Sequence, residues 1–360
     1  MKIVQLVTQM EAGGAQRVAV LLHDAFCQRG HDCEVWFLYE KRPAFAGVSN
    51  VRVLHKARPS GLRFIHCVVQ LATLLRIIRP DVLITHTYYA NVVGQAVAWL
   101  RRVPIRIAVQ HITVETYPWL ARYLDKIFGT IGVYCANVAV SDAVTRSVRE
   151  YPSHYRHYLR RIHNGVPPQL HVHGDDPRQR YGLPLDAPLI LNVGRLTNQK
   201  NQHVLLEALA EAPQAHAVFV GDGEDSQKLR CLAADLGIQH RAHFVGEITP
   251  SEVWNLLRVA TVFALPSLSE GMPMALLEAM EARLAIVASD IPAIREVLGD
   301  AGILIPPEDS KALGLAIVRL LSFPEVAAEL GRCAGTRASM FRLDNTIDNY
   351  ERLFRTSAPA

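Results

Sequence analysis

Three short segments of this 360-residue chain gather the residue types that hold a charged, hydroxyl-rich ligand. The first is Met10-Glu-Ala-Gly13-Gly14-Ala-Gln-Arg17. Paired glycines let a backbone come close to a ligand, and a helix beginning there turns N–H groups toward an anion. A plain flexible turn fits the same residues equally well. The dinucleotide-binding fingerprint Gly-x-Gly-x-x-Gly is absent here. The second segment is Asn192-Val-Gly194-Arg195-Leu-Thr-Asn-Gln-Lys200-Asn201. Arg195 can grip a phosphate at two points and Lys200 adds a compact charge, so the two could hold a diphosphate; the alternative is a cationic surface loop. The third is Pro266-Ser-Leu-Ser-Glu270-Gly271-Met272-Pro273-Met274-Ala275-Leu-Leu-Glu278. Pro273 suits the first turn of a helix, which puts Glu270 before it and Glu278 about one and a half turns inside. The N–H groups of Gly271, Met272, Met274 and Ala275 then crowd the positive helix end, a seat for phosphate. Glu278 is the kind of carboxylate that takes ribose hydroxyls. The methionine side chains fit core packing better than chemistry.

Such residues need a frame. Short apolar, β-branched runs alternate with longer helical patterns along the whole chain. The expected strands of the first half are Ile3–Val7, Glu34–Tyr39, Val51–Leu54, Val82–Thr85, Ile105–Gln110 and Val138–Ser141. Those of the second half are Leu189–Val193, Ala217–Val220, Ala242–Val245, Val262–Leu265, Ala285–Ala288 and Ile303–Ile305. Nearly continuous apolar strands followed by helices imply parallel sheets covered on both faces, here two doubly wound α/β domains. Turn chemistry at Asn164-Gly-Val-Pro-Pro168 and a polar stretch from His171 to Pro188 mark the join. The expected divisions are 1–167, 168–342 and a final helix in 343–360. All three chemical segments directly follow strands, where open α/β sheets bind ligands; with two sheets in tandem, the natural site is a cleft between them.

Composition limits the classes. Half of the residues are hydrophobic and a fifth are charged, ordinary for a globular protein. No membrane-spanning segment or signal peptide is expected, and six scattered cysteines suit reduced thiols in a cytoplasm. Residues 1–165 carry 21 Lys and Arg against 10 Asp and Glu, whereas the remainder carries 17 against 24. The basic half could meet an anionic membrane, a phosphorylated substrate or nucleic acid; nucleic acid is disfavoured because no aromatic platform or finger spacing accompanies the charge. Gly61 to Arg79 combines apolar and basic residues at helical spacing, as a membrane-surface helix would, or as a helix packed on the sheet with its arginines in water. Metal sites read poorly: His171-Val-His173-Gly-Asp-Asp176 lies in the linker, and Asp222-Gly-Glu224 reads as a Gly-rich turn.

Taken in order, the Gly-Gly loop, Gly194-Arg-Leu-x-x-x-Lys200-Asn201 and Glu270-Gly-x6-Glu278-Ala resemble the retaining family-4 nucleotide-sugar glycosyltransferases. Pro80-Asp-Val-Leu-Ile-Thr-His86, Ile162-His-Asn-Gly165-Val and Val220-Gly-Asp-Gly223 agree with the same family. The resemblance implies two Rossmann-like domains facing across a cleft (the GT-B fold), with the last helix crossing back to the first domain. It implies that Arg195 and Lys200 hold the donor diphosphate, Glu278 the ribose and Glu270 the hydroxyls of the transferred sugar. Gly13 and Gly14 would close over the phosphates, and His111 would be the cleft histidine. It further implies a nucleotide-diphosphate-sugar donor, a UDP-sugar favoured, no cofactor or divalent metal, and a glycan or lipid-linked acceptor. Rivals on this architecture are a sugar-nucleotide epimerase or hydrolase, a dehydrogenase, and a non-catalytic sugar-nucleotide-binding subunit. Three departures from the family pattern stand out: Pro273 in place of Gly, Arg283-Leu-Ala in place of Gly-x-Pro after the second Glu, and His111 without the aromatic-Thr or Asp pattern that follows it in the better-known members. A left-handed Arg283 would cost about 1–2 kcal/mol.

Overall fold

The computed structural model describes residues 1–45, 47–168 and 176–357. The chain divides into two compact units. Unit 1 comprises residues 1–165 with 343–360, and unit 2 comprises 166–342. The His171 and His173 pair weighed as a metal site lies outside the described residues.

Unit 1 holds seven strands: β1 (Lys2–Met10), β2 (Asp32–Glu40), β3 (Val51–Val53), β4 (Val82–His86), β5 (Ile105–Gln110), β6 (Ala136–Ala139) and β7 (Leu159–Arg161). Their order is β3-β2-β1-β4-β5-β6-β7, and every pairing is parallel. The apolar strands need cover on both faces. On one face Val4, Leu6, Trp36 and Leu83 pack against Cys67, Leu71 and Leu75 of the helix Leu62–Ile78; on the other, Val7, Val35 and Phe37 pack with Ala19 of the helix Gly14–Gln28. The C-terminal helix Leu343–Ser357 also belongs to unit 1. Its Tyr350 and Phe354 rings meet Phe26, and Arg29 pairs with Asp348 and Glu351.

Unit 2 repeats the plan with β8 (Leu189–Val193), β9 (His216–Val220), β10 (Ala242–Gly246), β11 (Val262–Leu265), β12 (Ala285–Ser289) and β13 (Ile303–Ile305). The order is β10-β9-β8-β11-β12-β13, again parallel between paired strands. Strand order therefore reverses between β1 and β4 in unit 1 and between β8 and β11 in unit 2. These are the switch points at whose carboxyl ends doubly wound sheets take ligands.

Each of the twelve expected strands forms, and β7 is additional. Leu159-Arg-Arg161 has no apolar alternation to announce it, because β7 is an edge strand whose arginines stay exposed, a usual protection of a sheet edge. Pro273 corrects the reading of the third segment. The helix starts at Met274, and Pro273 precedes it at φ −74° and ψ 115°, its carbonyl accepting from the N–H groups of Leu276 and Leu277. Arg283 does adopt the left-handed conformation, at φ 58°.

Candidate functional site

In unit 2 the two loops at the switch point are sewn together. The N–H of Leu268 donates to the Gln199 carbonyl at 2.9 Å, and Gln199 Nε2 donates to the Ser269 carbonyl at 2.7 Å. Asn201, left-handed at φ 58°, ends the short turn Asn198–Lys200 and starts the next helix, a role its short polar side chain tolerates well. Lys200 is thereby turned toward the β11 loop, where its Nζ lies 2.5 Å from Glu270 Oε1 in a largely buried ion pair. The loop after β8 exposes Arg195, while Gln202 Nε2 holds the Arg195 carbonyl at 2.9 Å. Glu278 is buried in the helix Met274–Glu281, whose first turn has neither an acidic residue nor a side-chain cap to offset its positive end. Gly271, Met272 and Met274 are buried and Ala275 is half-buried.

The acidic turn after β9 supports the loop beside it. Its glycines let it lie directly under the Arg195 loop: a Cβ on Gly221 would sit 2.1 Å from the Gly194 carbonyl oxygen, and one on Gly223 2.2 Å from that of Leu196. The N–H of Leu196 donates to the Asp222 carbonyl at 3.1 Å, so the turn props the cationic loop from below.

In unit 1, Gly13 and Gly14 follow β1, but neither is glycine for the sake of its own fold. Gly13 has an extended φ of −155°, a Cβ there would meet only the flexible end of Gln16, and a Cβ on Gly14 would meet nothing within 4 Å. His111 directly follows β5 and is half-buried. Its Nε2 lies 2.9 Å from Nδ1 of His86, the last residue of β4, with the rings stacked 5.2 Å apart. Burial pushes His111 down to about 4, and burial together with the adjacent His111 holds fully buried His86 well below the usual histidine range. Both imidazoles are therefore neutral near pH 7.

Two family models tile the chain. Glycosyl transferases group 1 matches residues 175–336 and Glycosyltransferase Family 4 matches residues 12–170. The chain belongs to glycosyltransferase family 4. The D-inositol 3-phosphate glycosyltransferase of Acidothermus cellulolyticus is 32% identical over 214 residues, 55% of this chain and 48% of that one. The phosphatidyl-myo-inositol mannosyltransferase of Mycolicibacterium smegmatis is 36% identical over 155 residues, 41% of this chain and 39% of its own length. The chain thus spans about half or less of the length of these curated relatives. Across almost the full length, the fold resembles that of Anabaena Alr3699/HepE, solved with UDP and glucose, with a TM-score of 0.87, 21% identity and 99% of each chain covered.

What the motifs of this family do not reveal is a second buried network, on Gln110. Gln110 Nε2 donates to Asp125 Oδ1 at 3.0 Å, and Asp125 also accepts from Tyr134 at 3.2 Å and Tyr155 at 3.0 Å. Burial raises the Asp125 carboxyl to about 6, although these three donors pull it the other way. Tyr117 closes the set by donating to Gln110 Oε1. The sequence signal is a carboxylate on the inward face of the helix Trp119–Thr130, four residues after Ala121 and four before Gly129. Gly129 is required there, since a Cβ would strike the Tyr155 ring at 2.4 Å.

Proposed function

We propose that the glycosyltransferase moves a sugar from a nucleoside-diphosphate donor, a UDP-sugar by preference, to an acceptor hydroxyl with retention of anomeric configuration. The observation that carries this reading is the Lys200–Glu270 pair, stitched beside Arg195 and the uncapped helix before Glu278 at the switch point of unit 2. An ammonium has three donors, so Lys200 can keep one on Glu270 and aim two at a diphosphate. Glu270, held in place by Lys200, has its second oxygen for the hydroxyls of the transferred sugar, and Glu278 takes the ribose. As the sugar–phosphate bond breaks, charge grows on the leaving diphosphate, where Arg195, Lys200 and the N–H groups of Gly271, Met272, Met274 and Ala275 are pre-set to stabilise it. A phosphate oxygen takes the acceptor's proton on the same face. Gly13 and Gly14, small without an internal need to be, leave room for the phosphates, and His111 attends the sugar. The fixed cations and the helix start do the work a divalent ion would do. The UDP and glucose held by the Anabaena neighbour favour this donor class.

Unit 2 is the donor side and unit 1 the acceptor side in this reading, with a glycan or lipid-linked acceptor, a cytoplasmic location and attachment to an anionic membrane surface. Among the described residues no helix is long and apolar enough to cross a membrane. The attachment is supported by two helices of the basic unit. Leu62–Ile78 packs through Cys67, Leu71 and Leu75 yet leaves Leu62, Ile65 and Val69 exposed beside Arg63 and Arg76. Trp119–Thr130 is turned further outward: its inner face is Ala121, Asp125 and Gly129, while Trp119 (78% exposed), Leu120 (50%) and Tyr123 (59%) face outward with Arg122 and Lys126. Such an apolar, aromatic and basic face suits the headgroup region of an anionic bilayer.

A thermal-shift screen of nucleoside diphosphates and their sugars, followed by NMR of the product anomer, tests the reading. Stabilisation by UDP-sugars with chelator present and an anomer matching the donor's are expected. Stabilisation only with a divalent cation, or the opposite anomer, would overturn the corresponding part.

A further inference from the structure

Within β1 runs the segment Ile3-Val-Gln5-Leu-Val7, where Gln5 is wholly buried between apolar neighbours. A buried amide must find partners for both of its ends. Gln5 Nε2 donates to the Ala19 carbonyl at 2.9 Å, which fixes the orientation of the amide and leaves Oε1 as the acceptor. That oxygen lies 3.0 Å from His86 Nε2. His86 must therefore carry its proton on Nε2, and as a neutral imidazole it has a lone pair on Nδ1. Among the described residues the group that meets this lone pair is His111 Nε2, 2.9 Å away, which must then be the protonated nitrogen of His111. The chain of donors runs one way: His111 Nε2–H to His86 Nδ1, His86 Nε2–H to Gln5 Oε1, Gln5 Nε2–H to the Ala19 carbonyl.

We infer that Gln5 and His86 are positioning residues that hold His111 as its Nε2–H tautomer, so that Nδ1 is the nitrogen offered to a ligand, and offered as an acceptor. A sugar hydroxyl meeting His111 would then donate its proton to Nδ1 in a hydrogen bond and be oriented by it; His111 could not donate to that hydroxyl. The value of this for transfer rests on the reading that His111 attends the sugar. The tautomer itself does not.

The test is 15N NMR of the full-length, histidine-labelled protein at pH 7, with the two resonances assigned through His86→Gln and His111→Gln. The expected wild-type spectrum has His111 protonated on Nε2 and bare on Nδ1. In Gln5→Glu a carboxylate accepts from His86 Nε2–H and favours the His86 imidazolium, which takes a proton from solvent and donates from Nδ1 to His111 Nε2. The His111 proton should therefore move to Nδ1. In Gln5→Met, which keeps length and loses the acceptor, His111 should show both tautomers, with kcat lowered about tenfold and the donor KM unchanged. A wild-type His111 protonated on Nδ1, or a His111 spectrum indifferent to both Gln5 variants, would overturn the inference. Spectra as expected with kcat unchanged in both Gln5→Met and His111→Gln would uphold the tautomer and remove His111 from the transfer reaction instead.

Discussion

The two units share one strand order about their switch points and differ in where they bury polarity. In unit 2 the buried polar side chains gather at the carboxyl ends of strands: Asn192, Ser289, and Ser267 and Glu270 in the β11 loop, with an almost wholly apolar core behind them. In unit 1 they run through the sheet, from Gln5 to His86 and His111, and from Thr85 through Asn91 and Gln110 to Asp125. Unit 2 presents fixed charges on two loops that can be altered without touching its core. Unit 1 orients neutral groups through its core, so its chemistry and its stability are not separable.

The largest effect that would break this contrast is in unit 2. Arg195→Ala and Lys200→Ala should each lower turnover by roughly 2.7–4 kcal/mol of transition-state stabilisation, with the circular dichroism of both, and the melting of Arg195→Ala, near wild type. Because Lys200 and Glu270 are paired, Lys200→Ala combined with Glu270→Ala should cost less than the two single losses added together. Additive losses in steady-state kinetics would mean that the pair does not act as one unit.

Unit 1 should show the opposite behaviour in Asp125→Asn, where stability responds rather than charge at a site. The folded carboxyl at about 6 lies above its unfolded value, so the folded state holds the proton more tightly. That contribution is fully present below about pH 4 and is lost as pH rises through 6. Wild-type stability relative to Asp125→Asn should therefore fall by on the order of 2–3 kcal/mol between pH 4 and pH 7, as read from urea midpoints. A difference that does not change with pH would show Asp125 ionised throughout.

The charge contrast gives a smaller effect. Trp119→Glu with Tyr123→Glu should reduce binding to vesicles containing anionic lipid, each added negative charge counting about 1 kcal/mol, and the binding should fade with salt. Equal loss from exposed changes in unit 2, such as Leu236→Glu, would erase the distinction between the units. Smallest of all, Arg283→Gly should stabilise unit 2 by about 1 kcal/mol by relieving the left-handed strain, with donor affinity unchanged in the same calorimetric series.

Much of this was legible in the chain alone. Apolar runs such as Val262–Leu265 can only be strands buried on both faces, and their alternation with helices leaves few topologies open. Arg195, Lys200 and Glu270 stood out because they lie in the loops that directly follow strands, where charge in an α/β sheet has few other reasons to be, and Glu278 because it lies in the helix after one of those loops. Leu159–Arg161 was not legible, since an edge strand owes its pairing to one neighbour and its sequence to solvent.

Sequence by itself determined every strand but β7, the two-unit plan and the residues that carry charge, because these follow from local periodicity and from chemistry written in contiguous segments. Tertiary structure alone decided that Lys200 meets Glu270, that the glycines at 221 and 223 prop the Arg195 loop, and that Asp125 is surrounded by tyrosine hydroxyls. It also decided which nitrogen of His111 holds the proton, through Gln5 and His86, which are 106 and 25 positions before it in the chain. A hydrogen bond has direction as well as partners, and direction is inherited along a chain of buried groups that only the folded sheet brings into line.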